Sequence, residues 1–199
     1  AQLFYMIRRQ ALWATRKPLI VMMPKSLLRK KEAGSPLEDL ANGKFEVVIG
    51  EVEKLNAKKV KRQIFCSGKV YYDLVAERAK RGIDDIAICR IEQLYPFPNE
   101  EFAAQIAMYP NAKSVVWVQE EPGNQGAWHR VQHYLLRQMR PDQTLSYSLR
   151  PSSASPAVGY ASKHAEQQRE LVEAALTWES GSSKVAQQAQ MGVLAKTLD

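Results

Sequence analysis

The sequence predicts an α/β fold: a mostly parallel sheet with flanking helices. Three observations predict it. Short runs such as IAICRI at 86–91, apolar but for Arg90, and VVWV at 115–118 are strand-length and read as strands covered on both faces. Segments of helical length separate these runs, so the units read as βαβ. The chain of 199 residues is 45% hydrophobic and 25% charged, which is enough apolar surface for a sizeable core.

The elements follow in order. Residues 3–15 place Leu3, Met6, Ile7, Leu12 and Trp13 roughly on one helical face. No capping residue precedes them, so the helix is expected to continue from a longer polypeptide. Leu19–Met23, bounded by prolines, reads as a strand buried on both faces. One helix and one strand cannot bury themselves, so this piece is expected to dock on something else. Ser35-Pro36-Leu37-Glu38 carries the marks of a capping box, with Ser35 at the cap and Pro36 in the first helical position. The helix it opens ends by Asn42-Gly43. Phe45–Gly50 reads as a strand. Residues 51–62 are charged and nearly free of bulky apolar side chains, which predicts a surface loop at a joint.

From residue 63 the pattern is regular. Strands are predicted over 63–68, 86–91, 115–118 and 144–149, the last with the polar-apolar alternation of an edge. Helices are predicted over 69–81, ended by Gly82, and over 98–109, 126–139 and 162–178. The stretch after Trp178 opens on a Gly-Ser segment and is expected to be loosely attached.

Bulk chemistry narrows the function classes. The net charge is +7, but the basic residues are scattered among acids with no aromatic stripe between them. That pattern argues against nucleic-acid binding and leaves room for phosphate-bearing small molecules or an acidic partner. The longest apolar stretch, Pro18–Pro24, is far short of the ~20 residues a membrane helix needs, and the first ten residues do not read as a signal peptide. Cys66 and Cys89 lie inside strand-like runs, where reduced core thiols are expected; this favours a reducing compartment.

Three local patterns could carry chemistry. Ser67-Gly68-Lys69 sits at a strand-to-helix turn, where free N–H groups and a lysine could hold an anion; it lacks the spacing of a phosphate-binding loop, and the same residues suffice for a turn. QEEPGNQGAW at 119–128 follows a predicted strand, at the end where ligands enter open parallel sheets. Glu120, Glu121, Asn124 and Gln125 could face such a crevice, or they could simply form a capped turn. His129 and His133 are four apart on one helix face, as in metal sites, but no third ligand is evident. A solvated or half-buried helix face is the plainer reading.

The phrases MMPKSLLR, FCSGKVYYDL, RIEQLYPFP, WVQEEPGNQGAW and RPSSASPAVGY occur in this order. Together they closely resemble the C-terminal part of the thiamine-diphosphate-dependent dehydrogenase component of the 2-oxoglutarate dehydrogenase complex, over about residues 1–178. The resemblance implies an end piece of a pyrimidine-binding domain at 1–29, a connecting segment at 30–60 and a transketolase-like C-terminal domain at 61–178. Residues 179–199 depart from the pattern and keep an unknown role. It implies decarboxylation of 2-oxoglutarate on thiamine diphosphate with Mg²⁺, and transfer of succinyl to the lipoyl groups of a dihydrolipoyl succinyltransferase core. It places the enzyme in the tricarboxylic acid cycle, in a bacterial cytoplasm or a mitochondrial matrix. Catalytic, cofactor and metal residues in that family lie upstream, so none is assigned to this chain, which is expected to be inactive alone.

What remains for this region is architecture. A homodimer is expected, with Ser67, Lys69, Glu92, Gln93, Gln119, Glu120, Glu121, Asn124 and Gln125 as a polar lip for interfaces. Some family members bind an acetyl-CoA or AMP effector; Arg9, Arg16, Lys17, Lys25 and Arg90 are the candidates here, with Arg9 and Arg16 seven apart on a predicted helix. A solvated basic edge is the plainer alternative. A related 2-oxoadipate dehydrogenase shares these motifs. A free-standing anion-binding α/β module is the remaining alternative.

Overall fold

The computed structural model describes residues 1–177, so the reading of 179–199 lies outside the described residues. The chain divides into two units, Ala1–Val47 and a second that begins at Val48.

The first unit is built on α1 (Gln2–Leu12). Three positions of one helical face hold it to the rest of the unit. The Gln2 amide brackets the Glu46 backbone, donating to its carbonyl at 2.7 Å and accepting its N–H at 2.9 Å. The Tyr5 hydroxyl donates to the Leu40 carbonyl at 2.8 Å and accepts the Gly43 N–H at 2.9 Å. Arg9 lies over the Phe45 ring at 4.1 Å. Two short 3₁₀ turns, Lys25–Arg29 and Lys31–Ala33, lead to α2 (Leu37–Asn42).

Two expectations fail in this unit. Leu19–Met23 forms no strand, and Ile20 and Met22 are 82% and 91% exposed. A strand needs a neighbour to take its backbone hydrogen bonds, and no described segment pairs with this one. The capping box is also absent. Pro36, not Ser35, stands at the cap of α2, and no side chain caps it. Ser35 is therefore one place too early to reach the free N–H groups of the first turn.

The second unit is a five-stranded sheet in the order β1-β3-β2-β4-β5. The strands are β1 (Val48–Ile49), β2 (Arg62–Cys66), β3 (Ile86–Ile91), β4 (Ser114–Pro122) and β5 (Thr144–Arg150). β2, β3, β4 and β5 run parallel, while the short β1 runs antiparallel to β3. The helices are α3 (Val70–Lys80), α4 (Asn99–Met108), α5 (Trp128–Gln138) and α6 (Ala161–Leu176). Each predicted βα unit is present, with ends shifted by a few residues.

Side-chain alternation along the strands makes two cores. Ile64, Cys66, Ile86, Ile88, Val116 and Val118 meet Leu74 of α3 and Leu171 and Leu176 of α6. The intervening Phe65, Cys89, Val115 and Trp117 meet Phe102 of α4 and Val131 and Leu135 of α5. With helices on both faces, β2 is buried at every position, as a central parallel strand is. Cys66 and Cys89 are free and buried. Burial, first of all, pushes both thiols up in pKa, Cys89 to about 12.

The surface-loop reading of 51–62 holds for 52–59, which are loop and turn and mostly exposed, and fails at the ends of the segment. The Glu51 side chain is 1% exposed and forms an ion pair with Arg78, itself 4% exposed. Val60 is wholly buried. Arg62 begins β2 and donates to the Ala175 and Thr177 carbonyls at 2.9 and 2.6 Å; burial lowers its pKa. A charged run looks solvated in sequence because its partners, 27 and 113 residues away, are not visible there. The strand expected at 45–50 shrinks to Val48–Ile49.

Candidate functional site at the carboxyl edge of the sheet

Parallel strands deliver their carboxyl ends to one edge, the usual position of ligand and interface groups in open α/β sheets. Ser67, Gly68 and Lys69 leave β2 there, Glu92 and Gln93 leave β3, and Glu120 to Gln125 finish β4 and turn into α5. Gly68 adopts φ +80, a conformation that glycine reaches without steric cost.

A polar chain crosses this edge. Lys69 forms an ion pair with Glu120, whose side chain is 20% exposed. Arg150, at the end of β5, has a guanidinium nitrogen 4.0 Å from the same Glu120 oxygen. One Arg150 nitrogen lies 3.0 Å from His164 Nδ1, and another donates to Gln168 at 2.5 Å. An arginine has no acceptor, so Nδ1 accepts and the neutral ring carries its proton on Nε2. Gln168 then donates to Asp73 at 2.8 Å. β2, α3, β4, β5 and α6 are thus tied at one rim.

A second cluster closes the β3 end. Arg90 lies 3.2 Å from Glu92 and donates to the Tyr72 hydroxyl at 3.2 Å. Its guanidinium sits 4.6 Å from the Tyr71 ring centroid. Burial raises the Tyr71 pKa, and the nearby Arg90 charge opposes that shift. Gln93 donates to the Pro96 carbonyl at 2.9 Å.

The QEEPGNQGAW turn splits into an inner and an outer part. Gln119 is 1% exposed and turned inward. Its carbonyl oxygen accepts the Trp117 indole N–H at 3.0 Å and the backbone N–H groups of Ala127 and Trp128 at 3.1 and 2.9 Å. Its amide nitrogen donates to the Gln125 carbonyl at 2.8 Å. Gln119 therefore fastens the turn and starts α5 instead of standing on the lip. Glu121 is exposed. Asn124 and Gln125 donate to the Ser153 carbonyl at 3.0 and 2.8 Å, and the Asn124 oxygen accepts the Ser153 N–H at 3.1 Å. Two loops are joined in this way, and a cleft of about 410 Å³ opens beside them, lined by Asn124, Trp128, His129, Tyr147, Leu149 and Arg150 among others.

Sequence reading missed Arg150, His164, Gln168, Asp73 and Tyr72. The one signal was that Arg150 ends an apolar-alternating strand, as Glu120 stands near the end of another. Only the parallel register puts those ends together.

The other candidates are not assembled into a site. His129 and His133 are exposed, and among the described residues no three His, Cys, Asp or Glu side chains could hold a metal ion. Arg9 and Arg16 do not share a helix: α1 ends at Leu12 and Trp13 is extended. Arg16 instead folds back to the Ala11 carbonyl, and the Lys17 carbonyl accepts the Gln10 amide at 2.6 Å. Lys25 opens the first 3₁₀ turn. Among the described residues no helix is long and apolar enough to cross a membrane.

A family profile described as 2-oxoglutarate dehydrogenase C-terminal matches residues 34–176. The 2-oxoglutarate dehydrogenase E1 component of Cupriavidus necator is 59% identical over 175 residues, covering 88% of this chain and 18% of the relative. The proteins of the same name from Azotobacter vinelandii and Coxiella burnetii are 55% and 53% identical, covering 89% and 88% of this chain and 19% of each relative. The chain thus spans about a fifth of the length of these curated relatives. It belongs to the 2-oxoglutarate dehydrogenase C-terminal family.

Proposed function

We propose that this chain is the C-terminal part of a 2-oxoglutarate dehydrogenase E1 component, and that it serves as a dimer-building domain. In this reading the complete enzyme decarboxylates 2-oxoglutarate on thiamine diphosphate with Mg²⁺. It then hands the succinyl unit to lipoyl groups of a dihydrolipoyl succinyltransferase core. The cofactor supplies the electron sink that such a decarboxylation needs, and its ligands belong to polypeptide outside this chain. The organisation proposed is an end piece of a pyrimidine-binding domain at 1–29, a connection at 30–60 and the transketolase-like domain at 61–178. The compartment proposed is the cytoplasm of a bacterium.

The observation that carries the architectural role is the rim that joins Lys69, Glu120 and Arg150. Their charges are mutually engaged and buried to different depths, with Arg150 6% exposed and Lys69 32% exposed. Groups held in this way are suited to fixed polar contacts with a neighbouring surface, and less suited to proton transfer. Glu120→Ala combined with Gln125→Ala in the complete enzyme tests the proposal. The expected result by sedimentation velocity is a shift toward half the parent mass, with activity falling in parallel. Unchanged mass and activity would overturn it.

A phosphate-bearing effector is proposed to meet basic side chains of the first unit, among Arg9, Arg16, Lys17 and Lys25; Arg90 is held by Glu92 and Tyr72 in the second unit. Calorimetry of the complete enzyme with AMP and with acetyl-CoA, beside Arg9→Ala, tests it. Equal binding to both proteins removes Arg9 from the site, and binding to neither removes the effector.

A further inference from the structure

β1 covers only part of the outer edge of β3. It pairs with Ile91 and Arg90 and stops at Ile49. At the next residue, Gly50, a Cβ would lie 2.5 Å from the Gln105 oxygen. Farther back along β3, the edge groups meet side chains. Glu51 accepts the Ile88 N–H at 2.7 Å, and Arg78 donates to the Ile86 carbonyl at 2.9 Å. Arg78 and Glu51 also form a two-point ion pair with each other, one contact being 3.0 Å. One donor and one acceptor of the strand edge are therefore satisfied by a buried side-chain pair standing where a neighbouring strand would be.

An unpaired strand edge is a template for strand addition. The segment behind this pair is IAICRI, apolar but for Arg90 and with β-branched Ile86, Ile88 and Ile91, a composition that pairs readily. We propose that Glu51–Arg78 is a plug that closes the outer edge of β3 to pairing with the same edge of a second copy of the chain. Two identical edges would meet about a two-fold axis, each supplying what the other lacks. Proximity in sequence to β1 keeps Glu51 at its post, since it follows that strand by two residues.

The test uses the intact protein carrying Glu51→Leu together with Arg78→Met. Replacing both charges by apolar groups of similar size leaves no lone buried ion but removes the caps on Ile88 and Ile86. Leu74→Ala, in the wholly buried core, is the control that is destabilised with the plug intact. Hydrogen exchange over 86–91 is expected to speed up about tenfold in the double variant. Its mass by light scattering should rise with concentration above the parent's and return on dilution, while Leu74→Ala keeps the parent mass. A double variant that keeps the parent mass at every concentration overturns the proposal. Equal association of Leu74→Ala does so as well, because destabilisation alone would then account for it.

Discussion

The Gln119 side-chain oxygen accepts the backbone N–H of Trp128 at 2.9 Å, joining the buried end of β4 to the first residue of α5. The same oxygen takes the Trp117 indole N–H and the Ala127 N–H. Gln119→Leu keeps the volume and leaves three donors without their acceptor. The expected loss is roughly 2–4 kcal/mol, since each unsatisfied buried donor costs on the order of 1–3 kcal/mol and the three are not additive. A fall in the urea midpoint, with changed tryptophan fluorescence, is the measurement. A loss of under about 0.5 kcal/mol would mark the contacts as incidental.

Two glycines with positive φ separate backbone strain from steric clash. Gly126 has φ +68, and a Cβ there would meet the Gln119 amide nitrogen at 2.6 Å and the Glu121 Cβ at 2.9 Å. Gly68 has φ +80 with open space around it. Gly68→Ala is expected to cost about 1 kcal/mol from the backbone alone. Gly126→Ala should cost about 2 kcal/mol or more, because it also displaces the Gln119 latch. Melting curves of the two variants check the order; equal losses would contradict it.

The buried thiols carry a pH signature. Cys89 is pushed up to about 12 and Cys66 is also raised, burial being the main cause. Unfolded thiols ionise near ~8.5. A folded pKa raised above the unfolded value contributes stability that is fully present below the unfolded value. It is lost as pH rises from there through the folded value. Urea stability should therefore fall between about pH 8.5 and 12, less steeply in Cys89→Ala than in the parent. In native protein at pH 8 both thiols should resist a thiol reagent and react on addition of urea. Fast labelling of Cys66 or Cys89 in native protein would contradict the burial argument.

The Lys69–Glu120 pair is partly exposed, at 32% and 20%. Lys69→Met is therefore expected to change stability by only about 0.2–1 kcal/mol. If the rim serves as an interface, the same variant weakens the dimer of the complete enzyme and raises its dissociation constant more steeply at low salt than at high salt. Sedimentation at two ionic strengths measures this. Dissociation that is unaffected at both would leave the pair a solvated one.

Much of the fold was legible because its signals are local. The apolar runs at β2, β3 and β4 can be buried on both faces only in a covered sheet. Gly82, with φ +63, closes α3 where the sequence placed its end. Leu19–Met23 misled for the same reason that β3 did not: both are apolar runs, but only β3 has strands on its flanks. Of the candidate site only positions along the chain were legible. Lys69, Glu120, Asn124 and Gln125 lie at the strand ends as expected, whereas Gln119 turned inward and Arg150, Gln168 and Asp73 went unnoticed.

Sequence alone determined the βα units from β2 onward, the α/β class, the core position of the two cysteines and the family. Those follow from short-range periodicity, turn chemistry and ordered motifs. Only the tertiary structure decided that Glu51 is buried on Arg78, that Lys69 meets Glu120 and that Arg150 reaches His164 and Gln168. These contacts join residues from 14 to 51 positions apart. Strand order and register bring such partners together, and no local pattern in the chain encodes that pairing.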